Sequence, residues 1–256
     1  YKRQVKQPVV VIGMGEMGAV FARGFLRSGY PVYSVTRQTP IGEVAAQVPD
    51  PELVLVAVGE AALQDVLKTI PAQWSDRLVL LQNELLPRDW KDFPETTVIS
   101  VWFEKKKGQD SKVILPSPAF GKKAALFKDA MSSIDIPIRQ LNSAEELLFE
   151  LVVKNLYILT SNIAGLKVGG TVGDLWSQHQ DVAQGIVEDV ITLQQALTGE
   201  TFDQQQLTDA MLEAFNGDPE HKCMGRSAPA RLERALQLAE QFKLKTPHLK
   251  AIKESP

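Results

Sequence analysis

The run Val9-Val10-Val11-Ile12-Gly13-Met14-Gly15-Glu16-Met17-Gly18 sets four β-branched apolar residues directly before a Gly-x-Gly-x-x-Gly pattern. Val20, Phe21, Gly24 and Phe25 then recur at helical spacing over residues 19–27, Ser28-Gly29 and Pro31 end that segment, and Val32-Tyr33-Ser34-Val35 reads as a second strand. Together they make one β-α-β unit. In such a unit Gly13 permits the tight turn, Gly15 lets backbone approach a pyrophosphate, and Gly18 lets helix and strand pack closely, with Met14, Glu16 and Met17 filling the intervening loop positions. A pyrophosphate at that helix start meets unpaired N–H groups and the positive end of the helix dipole.

The second strand separates the two nicotinamide dinucleotides. An NAD site usually carries a carboxylate there for the ribose 2′-hydroxyl, whereas this chain has Thr36-Arg37. Arg37 suits a 2′-phosphate, which a guanidinium holds bidentately, so NADP(H) is the expected cofactor; the plainer alternative is an exposed loop arginine.

Downstream the pattern stays α/β. Leu53-Val54-Leu55-Val56-Ala57-Val58 is the uncharged run that a buried parallel strand needs, Gly59 ends it, and residues 60–70 read as a helix. Leu78-Val79-Leu80-Leu81 and Val98-Ile99-Ser100-Val101-Trp102 are further strands, and Val113-Ile114-Leu115 is expected to pair as a hairpin across Lys105-Lys106-Lys107-Gly108. The alternation predicts a doubly wound parallel Rossmann sheet with Gly13, Arg37, Val58-Gly59 and Gln82-Asn83 along one crevice. Beyond Asn142 the pattern turns helical, over residues 143–165, 180–197, 202–215 and 229–242, the first opening with a capping box of Ser143 and Glu146. The expected domains are a dinucleotide-binding domain at 1–141 and an all-α domain for substrate or dimerisation at 142–256.

With 28 basic and 31 acidic side chains the net charge is −3, which gives no reason to expect a nucleic-acid partner. No apolar run is read as a membrane span, residues 1–7 hold no signal core, and the single cysteine, Cys223, cannot form an internal disulfide. A reducing cytoplasm fits that usage. His221 and Cys223 lack a second ligand pair at metal spacing, so no metal site is expected. The four tryptophans read as packing residues, and the lysine run as a solvated hairpin tip.

One helix carries candidate chemistry. In Glu150-Leu151-Val152-Val153-Lys154-Asn155-Leu156-Tyr157-Ile158-Leu159-Thr160-Ser161-Asn162, Lys154 and Ser161 share a stripe flanked by Tyr157 and Asn162. Charged groups are rarely buried without a partner. Lys154 is either a proton donor or cation for a carbonyl, or a helix-edge residue paired with Glu150 four positions before it. Arg226 and Arg231 are candidates for a substrate carboxylate, or simply a charged helix start.

Taken together, Gly13 to Gly18, Arg37, Asn83 and the Glu150…Lys154…Asn162 helix resemble the ketopantoate reductase family, within the group that has a 6-phosphogluconate-dehydrogenase-like helical domain. Asn162-Ile163-Ala164-Gly165-Leu166, Gly173-Asp174-Leu175 and Lys243-Leu244-Lys245-Thr246-Pro247 follow that family's order, so the resemblance spans nearly the whole chain. It implies an NADPH-dependent reductase of a small 2-keto acid. Lys154 would be the general acid that protonates the ketone oxygen, Asn83 the group that orients the reactants, Arg37 the 2′-phosphate ligand and Asn162 a substrate contact; Ser161 on the Lys154 stripe and Arg226 join the substrate-side candidates from the reading of the residues alone. A homodimer is compatible with the resemblance.

The departures fall on the substrate side. The family asparagine four residues after the lysine is Ile158 here, and its threonine-glutamate pair has no counterpart between Gly225 and Ala235. Two other readings therefore stay open: a 3-hydroxyacid dehydrogenase-like oxidoreductase, and a non-catalytic NADP-binding sensor.

Overall fold

The computed structural model describes residues 5–254, which divide into two compact units, residues 5–150 and 151–254. In the first, the opening unit forms as read: β1 (Val9–Ile12), α1 (Glu16–Arg27) and β2 (Val32–Val35). Then come α2 (Ile41–Gln47), β3 (Leu53–Val56), α3 (Leu63–Leu67), β4 (Leu78–Leu80) and β5 (Thr97–Ile99). The unit closes with β6 (Phe103–Glu104), β7 (Lys112–Val113), β8 (Ser117–Phe120), α4 (Ala124–Ser132) and β9 (Ile138–Gln140).

Among the described residues the main sheet runs β2-β1-β3-β4-β5-β8-β9, and its first five strands are parallel. β8 runs antiparallel to β5, and β9 follows β8 in parallel. Since β2 lies on one side of β1 and β3 on the other, the order reverses at β1, and the crevice of such a sheet opens at that point.

The core explains the strands. Val9, Val10 and Val11 are fully buried and Ile12 nearly so, because helices cover both faces of the sheet. On one face Phe21 and Phe25 of α1 meet Phe127 of α4 edge-on at 5.6 and 5.1 Å between ring centroids. Full burial of each ring contributes roughly 1.5–3 kcal/mol. On the other, Trp74 is buried and its indole N–H donates to the Val48 carbonyl at 3.0 Å.

Several expectations need correction. The helix read over residues 60–70 is a 3₁₀ turn at Glu60–Ala62 leading into the short α3, which ends at Leu67 ahead of Pro71. The Lys-rich hairpin forms, but β7 pairs with Phe103 and Glu104 beyond the strand read at 98–102. α2, α4, β8 and β9 have no signal in the sequence, because their short runs carry little periodicity.

The second unit continues α5 (Ala144–Val168), with α6 (Val172–Gln178), α7 (Gln180–Thr198), α8 (Gln204–Gly217), α9 (Ala228–Gln241) and α10 (Pro247–Glu254). α5 is long and apolar enough by composition to cross a membrane, contrary to the sequence reading, but 72% of its apolar window is buried within the protein, as for a core helix. A buried amide pair ties α5 to α7, Asn155 Nδ2 donating to Gln194 Oε1 at 2.9 Å. Thr171 and Asp174 cap α6 reciprocally, Asp203 caps α8, and the Asp189 carboxylate of α7 accepts the Leu249 N–H in the first turn of α10 at 2.9 Å.

Candidate functional site

The parallel register aligns four strand ends in one row. Ile12 stands opposite Val35 on one side and Val56 on the other, and Val56 opposite Leu80. Gly13, Thr36-Arg37, Ala57-Val58-Gly59 and Leu81-Gln82-Asn83 therefore leave the sheet at the same rim. The glycine turn is stitched into it, Gly13 N donating to the Val35 carbonyl at 3.0 Å and Ala57 N to that of Ile12 at 2.7 Å.

Each glycine of the fingerprint has its own reason. Gly13 has φ +93°, and a Cβ there would sit 2.8 Å from the Ala57 carbonyl oxygen. A Cβ on Gly18 would lie 2.1 Å from the Gly13 carbonyl oxygen, so the third glycine lets the helix close on the turn itself. Gly15 differs. Apart from its own atoms and its chain neighbours Met14 and Glu16, nothing lies within 4 Å of where its Cβ would be, and as N-cap of α1 it has no side-chain cap. The turn thus leaves open space in front of unpaired helix-start N–H groups, which fits a phosphate group. Met14 at 41% exposure and the exposed Glu16 border that space, while Met17 turns inward against the core.

Arg37 is exposed beyond β2, in a turn held by Thr36 and Thr39, and its guanidinium makes no hydrogen bond or ion pair among the described residues. Val58 is half-buried and Gly59 exposed after β3. Gln82, mentioned in the sequence reading only as a strand end, organises this corner: its amide donates to the carbonyls of Val56 at 2.7 Å and Val58 at 3.1 Å. The signal was a buried polar residue directly after the apolar run of β4. Asn83 follows it, half-buried, in a turn where Glu84 takes φ +60°.

Lys105 is also set differently from the sequence reading. Its ammonium folds back onto the carbonyls of Lys106, at 2.9 Å, and Gln109, and stands 3.4 Å from Glu16 Oε2, so this lysine is not a solvated tip.

In the helical unit Lys154 is half-buried on α5, with its ammonium 5.6 Å from the centroid of the Tyr157 ring. Glu150, the partner offered by the helix-edge alternative, is engaged by Arg139. Ser161 is buried and donates back to the Tyr157 carbonyl at 2.7 Å. Asn162 is buried as well: its carbonyl accepts from Arg231 Nη1 at 2.7 Å, and its amide donates to the Cys223 carbonyl at 3.1 Å. Arg226 is exposed, in the loop before α9. Burial pushes the Cys223 thiol up to about 11, so it is not a thiolate nucleophile at neutral pH.

No protein-family model and no curated protein matches the chain. Solved structures do. A 2-dehydropantoate 2-reductase from Methylococcus capsulatus shares 13% identity over 96% of this chain and 94% of that one, with a TM-score of 0.69. A ketopantoate reductase from Staphylococcus aureus, described as dimeric, shares 18% over 96% and 95%, with a TM-score of 0.61. A D-mandelate dehydrogenase solved with NADH and anilino(oxo)acetate shares 15% over 96% of each chain, with a TM-score of 0.64. At such identities the likeness is one of fold, and over nearly its whole length this chain has the fold of the ketopantoate reductases: a Rossmann sheet followed by a helical unit.

Proposed function

We propose that this chain is an NADP(H)-dependent reductase of a small 2-keto acid, with ketopantoate the first substrate to try. The observation that carries the reading is the glycine turn: Gly13 and Gly18 are held too close to backbone for any side chain, while Gly15 faces open space at the start of α1. The fold shared with solved 2-keto-acid oxidoreductases supports it. When bound, a reduced nicotinamide supplies a hydride to the ketone carbon.

The chain's own residues do the rest in this proposal. The N–H groups of the turn hold the pyrophosphate, the guanidinium of Arg37 takes the 2′-phosphate, and Asn83 orients the reactants from the end of β4. Lys154 gives its proton to the ketone oxygen, whose negative charge grows as the carbonyl is reduced. Asn162, whose amide is committed to Cys223 and whose carbonyl is held by Arg231, serves by shaping the loop before α9. A homodimer belongs to the same proposal, and light scattering on the purified chain tests it.

Steady-state NADPH oxidation with ketopantoate and a panel of 2-keto acids tests the reading. Lys154→Ala is expected to lower kcat by about 10²- to 10⁴-fold, and unchanged turnover would remove Lys154 from the mechanism. Ile158 and the internal engagement of Asn162 favour one competing reading, a dinucleotide-binding sensor without turnover. Tight NADPH binding with no activity on any keto acid would select it.

A further inference from the structure

Glu16 raises an electrostatic problem at the proposed pyrophosphate site. It is the first residue of α1, directly after the open glycine position, and its side chain is half-exposed. A carboxylate in a first helical turn is favoured by the dipole, but it draws on the same positive end that an anionic ligand needs, and it repels that ligand.

Lys105 answers that charge. The β6–β7 hairpin carries three consecutive lysines, and they are not equivalent. Lys106 lies on the surface beside Glu104, its side chain 65% exposed, whereas the Lys105 side chain is only 20% exposed. An ammonium has three donors. Here two go to the hairpin's own carbonyls, on Lys106 and Gln109, and the third side faces Glu16 Oε2 at 3.4 Å. The two carbonyls fix the amine beside the carboxylate, so the charge is set by backbone geometry and is not carried on a free arm.

We propose that Lys105 is a positioning residue for the dinucleotide: it neutralises Glu16 and so keeps the start of α1 receptive to the pyrophosphate. The inference rests on the dinucleotide reading above. It makes a specific claim about route, since Lys105 acts through Glu16 and not by touching the phosphate.

A four-protein binding cycle tests it, with NADPH fluorescence titrated in the absence of substrate into wild type, Lys105→Ala, Glu16→Gln and the double variant. Lys105→Ala is expected to weaken binding on the order of tenfold at low salt, with the loss shrinking at high ionic strength. Glu16→Gln should bind as well as wild type or better, and the double variant within about twofold of Glu16→Gln. That rescue is the diagnostic result, because a hairpin that merely supported the fold would not be repaired by an amide at position 16. Lys105→Gln, with melting curves for all variants, guards against a folding defect. Two results overturn the proposal while leaving the dinucleotide reading intact: Lys105→Ala binding like wild type, or its defect persisting unchanged beside Glu16→Gln. A cooperatively folded wild type that binds neither NADPH nor NADH overturns both.

Discussion

Within the helical unit, Arg231 of α9 donates a 2.7 Å hydrogen bond to the side-chain carbonyl of Asn162 on α5, joining residues 69 positions apart. Both are buried, and the Asn162 amide continues the chain of bonds to the Cys223 carbonyl. Removing one member of a buried polar set leaves the others unsatisfied. Arg231→Met is therefore expected to lower stability by about 2–4 kcal/mol in urea unfolding. Asn162→Ala should have a smaller effect of the same sign, and the double variant should lose less than the sum of the two. Strict additivity would show that the two side chains act independently.

The fingerprint glycines should separate folding from binding. Gly18→Ala places a Cβ 2.1 Å from the Gly13 carbonyl oxygen and must displace backbone, which is expected to reduce stability by about 1–3 kcal/mol and to abolish NADPH binding. Gly15→Ala meets nothing within 4 Å beyond its chain neighbours and has φ −74°, so its melting temperature should stay near wild type. Its NADPH affinity should nevertheless fall at least tenfold, about 1.4 kcal/mol, because the methyl group occupies the space left for the phosphates. Isothermal calorimetry beside thermal melts would read both; a Gly15→Ala protein that binds normally would move the pyrophosphate elsewhere.

Arg37 sets the expected cofactor preference. A charge-assisted guanidinium–phosphate pair is worth about 1.5–3 kcal/mol. Arg37→Ala should then weaken NADPH by roughly 10- to 100-fold while leaving NADH within about threefold of wild type. Equal losses for both dinucleotides would mean that the guanidinium does not read the 2′-position.

Asp189 introduces a pH dependence into the helical unit. Burial raises its carboxyl above the ordinary carboxylate range, partly countered by the hydrogen bond from the Leu249 N–H. The folded state therefore holds this proton more tightly than the unfolded chain does. Its contribution to stability is complete below the unfolded pKa and is lost as pH rises through the raised folded value. Asp189→Asn keeps an acceptor for Leu249 and removes the titration. Relative to wild type, its melting temperature should be higher at pH 7 than at pH 4; parallel pH profiles would exclude this role.

How much of this was legible beforehand follows from physical range. Val9 to Gly18 could be read because each requirement is local: a buried strand wants a β-branched run, and the turn wants glycine where φ is positive or backbone is close. Strands β8 and β9 could not, since Ser117-Pro118-Ala119-Phe120 and Ile138-Arg139-Gln140 become strands only by joining the edge that β5 leaves open. The Lys154 helix was found by its odd composition, but the surroundings of Asn162 were not, because Arg231 and Cys223 lie more than sixty residues away in sequence. Lys105 was misread for the same reason. A lysine run gives no hint that one of its members folds back onto a carboxylate 89 positions earlier, counting from Glu16 to Lys105.

The reversal of direction at β8 has a practical use. Because β8 runs back against β5, the bends after β8 and β9 emerge at the rim opposite the glycine turn, where Gly121 packs on Thr97 and Lys122 pairs with Glu95. An affinity tag or fluorophore grafted near Lys122 would sit a full strand length from the rim proposed for the nucleotide, giving a reporter of ligand capture that leaves that rim untouched.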